Sequence, residues 1–263
     1  MVTSDRLLRD QFATAEQLAS IITAHDQDRE NPSEQRQEIL ADPEHPRHDA
    51  IMISDWWLRL VSLGARYSLG VPIEELRGDF ARAVEHAPYQ QWTRQQTVSR
   101  FVEFFWLASW ARLLDDTASQ QRLRRETAAI GHNDSLLDAV LSDDPPAALS
   151  TETRRSVAPE KKYAGLVEAA VLAQGGDGPG AAERFRRYVS AEWYRSFQSA
   201  DWWGNHKRLN DLDTCSYKGY WAYEAAAVAH AFGIDDSALE GHKYYPWDLA
   251  HADNPTDTTF AQP

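Results

Sequence analysis

Apolar residues recur along most of this chain at the three- and four-residue spacing of amphipathic helices, and nowhere in a sustained two-residue alternation. Leu7, Leu8, Phe12, Ala15, Leu18, Ile21 and Ile22 share one stripe and predict a first helix, which Asn31-Pro32-Ser33 ends or interrupts. Residues 42–48 (DPEHPRH) read as a polar loop. A second helix is expected from about Ala50 to Leu69, carrying Trp56, Trp57, Leu60, Val61 and Leu63 and stopped by Gly70. Pro72 opens a third, with Glu74 and Glu75 in its first turn, where the helix dipole favours acids; His86-Ala87-Pro88 ends it. From about Gln95 to Leu114 the chain is apolar nearly all round, the mark of a helix at the centre of a bundle. Shorter helices are expected near 119–129 and 134–141.

Residues 142–160 (SDDPPAALSTETRRSVAPE) hold three prolines and few large apolar residues, as a linker does. Beyond them the spacing predicts helices near 161–173 and 180–198, separated by GGDGPG. A polar loop covers about 204–216, and a last strong helix runs from about Tyr217 to Phe232, stopped by Gly233. The expectation is an all-α protein, an antiparallel helical bundle with N-terminal and C-terminal parts packed together. Its division is a helical domain over 1–142, a linker over 143–160 and a second helical domain over 161–263.

Composition fits a packed protein: 10 Trp and 43% hydrophobic residues supply a large core. The net charge of −13 argues against direct binding of nucleic acid, which needs a basic footprint, and would steer a basic partner inward. That charge is uneven. It is −9 over residues 1–146, +2 over 147–197 and −6 over 198–263, so the last stretch is the candidate contact surface. One cysteine, Cys215, gives no disulfide framework and suits a reducing compartment. With no signal-type N-terminus and no long apolar span, the expected location is the cytoplasm, with no membrane partner.

The residues that could carry chemistry have ordinary alternatives. The nine histidines include no HExxH spacing, and there is no CxxC, so neither metal nor cofactor is expected. Asp115-Asp116 are adjacent and point apart on a helix, which makes a poor acid–base pair. Cys215 would need a nearby base to act as a nucleophile. Glu224 is the unusual one. In YKGYWAYEAAAVAHAF it shares an apolar stripe with Tyr220 and Val228, so it is either a structural acid tied to a neighbouring Tyr, Trp or Arg, or an acid presented in a cleft. In KYYPWDLAH, Tyr244, Tyr245 and Trp247 are expected to cover the end of the core, with Asp248 capping a final turn.

Three blocks, AEWYRSFQSADWWGNHK, YKGYWAYEAAAVAHAFGIDD and KYYPWDLAH, resemble the C-terminal domain of the PoNi family over about residues 160–252. Glu192, Trp193, Tyr194, Gly219, Tyr220, Trp221, Glu224, Ala225, Gly233, Ile234, Asp235, Asp236, Tyr244, Tyr245, Pro246, Asp248 and Leu249 carry the resemblance; Tyr223 and Trp247 keep an aromatic ring where Phe or Tyr is expected. Residues 1–140 look, less distinctively, like the family's N-terminal domain. The resemblance implies a non-enzymatic immunity protein that neutralises a cognate PoNe-type DNase toxin delivered between bacteria, notably by type VI secretion. Its partner would be the toxin's nuclease domain, met by the acidic loops. Asp201, Asp211, Asp213, Asp235, Asp236 and Glu240 are then the contact candidates, though each taken alone is ordinarily a solvated surface acid. Trp193, Tyr220, Trp221, Glu224, Tyr244, Tyr245, Trp247 and Asp248 are expected to be structural. Two rivals stand beside this reading. One is a helical hydrolase using Glu224 or Asp248 with a nearby His, and the other a helical adaptor without a toxin partner.

Overall fold

The computed structural model describes residues 8–90, 98–130, 134–145, 149, 160–209 and 217–252; among them the fold is all-α, with no strand. The helices are α1 (Ala15–Glu30), α2 (Glu34–Ala41), α3 (His48–Ser68), α4 (Ile73–Glu85), α5 (Val98–Leu113), α6 (Thr117–Ile130) and α7 (Ser135–Leu141). They continue with α8 (Glu160–Gln174), α9 (Gly178–Arg187), α10 (Trp193–Ser196), α11 (Tyr223–Phe232) and α12 (Trp247–Ala250). Contacts gather the chain into two units. The first is Met1–Leu107, Arg125–His132 and Tyr194–Tyr220; the second is Ala108–Arg124, Asn133–Trp193 and Trp221–Pro263. Of the expected 143–160 linker, residues 146–148 and 150–159 lie outside the described residues.

In the first unit, α1 and α4 pack on α3. The stripe Leu76, Phe80, Ala83 and Val84 of α4 has the spacing of one helix face and is buried, as are Leu18 and Ile21 of α1. Trp56 of α3 is 1% exposed, and its indole N–H donates to the Ala83 carbonyl at 2.8 Å, so its one polar atom is satisfied inside the core. Phe101, Val102, Phe104 and Phe105, in the first part of α5, are also buried. The first helix begins later than its stripe suggests. Residues 8–14 are not helical. Thr14 forms a capping box with Gln17, and Asp10 accepts from the Phe12 and Ala13 N–H groups, which turns the chain before α1 starts.

In the second unit, α8 packs on α9 and α11, and α11 on α7. Tyr223 through Ala229 are all buried, so α11 is enclosed on every side up to its last turn, where His230 is exposed. Gly233, at φ 62°, takes the left-handed position that closes α11, its N–H returning to the Ala229 carbonyl. Asp134 caps α7 by accepting from the Leu136 and Leu137 N–H groups, both at 3.0 Å. The other end of α7 is held by Arg112, which donates to the Val140 carbonyl at 2.8 Å, and by Arg124, which donates to that of Leu141 at 3.0 Å.

Three other expectations are corrected. α2 was not foreseen, because Ile39 is its one buried residue and leaves no stripe. The helix expected over 180–198 is interrupted by a π-turn at Tyr188–Glu192. The last strong helix starts at Tyr223, not Tyr217. Residues 217–222 are not helical, and the Ala222 N–H bonds to the Tyr244 carbonyl at 2.8 Å.

Candidate functional site

The acidic candidates meet different fates. Asp235, Asp236 and Glu240 lie on the loop after α11, in the second unit. Asp235 and Glu240 are exposed. The Asp235 carboxylate accepts from the Ser237 N–H at 3.0 Å, and the hydrogen bonds from Ser237 hold it below its ordinary pKa. Asp236 is turned inward. It accepts from the Tyr245 hydroxyl, and His251 Nε2 stands 3.3 Å from its other oxygen. The His251 ring lies 3.9 Å from that of Trp247, so Asp236 anchors α12. Asp201 is exposed in the first unit. Asp211 and Asp213, like Cys215, lie outside the described residues.

The family-motif residues are mostly interior. Glu224 is 0% exposed, and the Trp193 indole N–H donates to its Oε1 at 2.7 Å. Sealed in this way, Glu224 touches no solvent and presents no acid to a substrate. The π-turn immediately precedes Trp193. The neighbouring Glu192 accepts from both Arg184 terminal nitrogens, at 2.9 and 3.1 Å, so π-turn and α9 are clamped by a bidentate ion pair. Tyr244 packs its ring 5.5 Å from Trp193, and Tyr245 meets Phe185 edge-on at 5.9 Å. Trp221 is buried, while Trp247 is half-exposed. Asp248 is exposed inside the first turn of α12, whose cap is Pro246; the expected capping by Asp248 does not occur.

Tyr220, in the first unit, is the hub of an aromatic cluster. Its ring lies 4.9 Å from Tyr194, 5.1 Å from Tyr217, 5.3 Å from Phe12 and 5.5 Å from His206. The Tyr220 hydroxyl accepts from the His206 backbone N–H at 3.0 Å and lies 2.8 Å from His206 Nδ1. Burial pushes the His206 pKa down, and adjacent Lys207 adds to the shift.

Three buried charges of the first unit escaped the sequence reading. Asp10 is 5% exposed and accepts from the Tyr217 hydroxyl at 2.7 Å. Glu103 is buried and pairs with Arg100 at 2.7 Å; burial still raises its pKa. Lys218 is 5% exposed, with its ammonium 4.3 Å from the Trp106 ring and 5.3 Å from that of Trp57. Burial pushes its pKa down to about 8, against the opposing pull of Glu103 and Asp201. Gly64 makes room for this segment, since a Cβ there would stand 2.8 Å from the Lys218 carbonyl oxygen. The one signal in the sequence was a lone cation inside an aromatic run, YKGYW.

Among the described residues, no group of three or more His, Cys, Asp or Glu is placed to hold a metal ion, and no helix is long and apolar enough to cross a membrane. Residues 132–249 match the family model described as PoNe immunity proteins (PoNi), C-terminal. The PoNi match begins upstream of the resemblance at 160–252 and takes in all of α7 with its Asp134 cap. It contributes residues to both units, including Tyr194, His206, Tyr217 and Tyr220 of the aromatic cluster and the Trp193–Glu224 pair. No curated protein and no solved structure matches the chain significantly.

Proposed function

We propose that this chain is an immunity protein that binds a cognate polymorphic toxin of the PoNe type and neutralises it by stoichiometric blocking. The toxin is a DNase delivered between bacteria by a type VI or related secretion system, and the chain acts in the cytoplasm without catalysis. The PoNi match over residues 132–249 carries this reading. Charge supports it. A nuclease handles a polyanion with a basic face, and a protein of net charge −13 is attracted to such a face. Asp201, Asp235 and Glu240 are exposed and serve as steering acids, with Asp211 and Asp213 as further candidates. Asp236 plays a supporting part, fixing the loop that carries Asp235 and Glu240.

The test is rescue. A candidate PoNe-type nuclease domain, sought in the gene next to the one for this chain, is expressed in bacteria with and without it. Growth and intact chromosomal DNA in its presence are the expected result. Equal killing in both cultures rules the pairing out.

A further inference from the structure

We propose that Trp247 is the anchor of the toxin-binding surface, a fixed indole that receives an arginine or lysine of the toxin's basic face. The inference deepens the immunity reading and rests on it. Trp247 opens α12, in the second unit. The sequence places it among the aromatics that cover the end of the core. It stays half-exposed, whereas Trp193 and Trp221 of the same motif are buried. Its indole N–H meets no acceptor among the described residues. Those of Trp56 and Trp193 each donate inside the core.

A closed circuit of contacts nevertheless fixes the ring. His251 packs 3.9 Å from it, with 32° between the planes. The Nδ1 of His251 lies 3.0 Å from the Trp247 carbonyl oxygen, and its Nε2 lies 3.3 Å from Asp236. Asp236 accepts from the Tyr245 hydroxyl, and the Tyr245 carbonyl accepts from the Trp247 backbone N–H at 2.9 Å. A large ring already held in place loses little conformational freedom when a partner covers it, which suits it to anchor an interface. Charge names the partner. Asp248 follows Trp247, Asp235 precedes Asp236, and both Asp248 and Asp235 are exposed. Residues 230–252 carry Asp235, Asp236, Glu240 and Asp248 against Lys243 alone. An indole face attracts a cation, and a guanidinium can stack on it while its N–H groups reach carboxylates alongside.

The test measures association and dissociation of the full chain and the candidate nuclease domain by stopped-flow mixing. Trp247→Ala should raise koff about 30-fold and leave kon within about threefold, because it removes contact without changing charge. Trp247→Phe, which keeps a ring beside His251, should raise koff about fivefold. An unchanged koff in Trp247→Ala, with the parent binding, overturns the anchor and leaves the immunity reading intact. A parent that does not bind overturns both. A second measurement keeps the ring in place and leaves α12 undisturbed. In the chain labelled with 5-fluorotryptophan, the fluorine resonance missing from Trp247→Phe is that of Trp247. It should show a solvent isotope shift between H2O and D2O in the free chain and lose it in the complex. A shift retained in the complex overturns the anchor. So does a free chain that already lacks the shift: its return on dilution assigns a second copy of the chain, and its return on deleting residues 253–263 assigns that segment.

Discussion

Replacing Trp193 by Phe removes a single N–H from a place where nothing from solvent can replace it. The indole donates at 2.7 Å to Glu224, and the two residues are 1% and 0% exposed. A hydrogen bond to a charged group is worth about 1.5–3 kcal/mol, and losing it leaves a buried carboxylate short of a donor. The smaller phenyl ring adds a packing loss of about 1 kcal/mol. The expected cost is about 2.5–4 kcal/mol, a large part of the roughly 5–15 kcal/mol that holds a typical domain folded. Urea unfolding followed by far-UV circular dichroism measures it by linear extrapolation. A double-mutant cycle of Trp193→Phe with Glu224→Leu separates the hydrogen bond from the ring volume, and its coupling energy should be about 1.5–3 kcal/mol. A Trp193→Phe cost below about 0.5 kcal/mol, or an additive cycle, would refute the worth assigned to this buried hydrogen bond.

The other expectations concern the first unit and the surface. Lys218 has a folded-state pKa of about 8 against 10.5 for a free lysine, so between these values the unfolded chain holds a proton that the folded chain has released. Its contribution to stability therefore rises from pH 8 towards 10.5, by about 3 kcal/mol in all. Urea titrations of parent and Lys218→Met at several pH values should diverge over this window; parallel curves would count against a desolvated ammonium. Gly64→Ala should cost about 1–3 kcal/mol, because the new methyl meets Lys218 backbone at 2.8 Å, and an unchanged urea midpoint would contradict that close approach. Reversing Asp201, Asp235 and Glu240 together to Lys should slow association with the toxin about tenfold and flatten its salt dependence, as stopped-flow mixing would show. Unchanged association would remove the steering role of these acids while leaving the immunity assignment standing.

The helical class was legible because burial of one face imposes a three-to-four-residue period, clear in α3 and α4, while α5 was legible as a long apolar run. Helix starts were legible where a local cap wrote them and obscured where a stripe ran past it. Thr14 and Gln17 form a capping box, yet the apolar positions from Leu7 onward suggest a longer helix. The stretch 217–222 misleads in the same way, since its non-helical conformation depends on Tyr244, far along the chain. For Glu224, the sequence offered a structural acid tied to a Tyr, Trp or Arg, and the structure gives it Trp193. The interior charges Asp10, Glu103 and Lys218 were not legible. A charged residue reads as exposed until its partner is known, and Asp10 meets Tyr217 across 207 residues of chain.

The central claim is stoichiometric inhibition, and a titration tests it most directly. The candidate nuclease domain from the rescue test is purified and held at fixed concentration, well above the expected Kd, while the chain is added and cleavage of plasmid DNA is followed. The account predicts that cleavage falls linearly and ends at one chain per toxin, with the toxin recovered intact and active after the complex is separated in denaturant and refolded. Undiminished cleavage at a large excess of chain would contradict it, as would inactivation by far less than one equivalent, which would mean turnover.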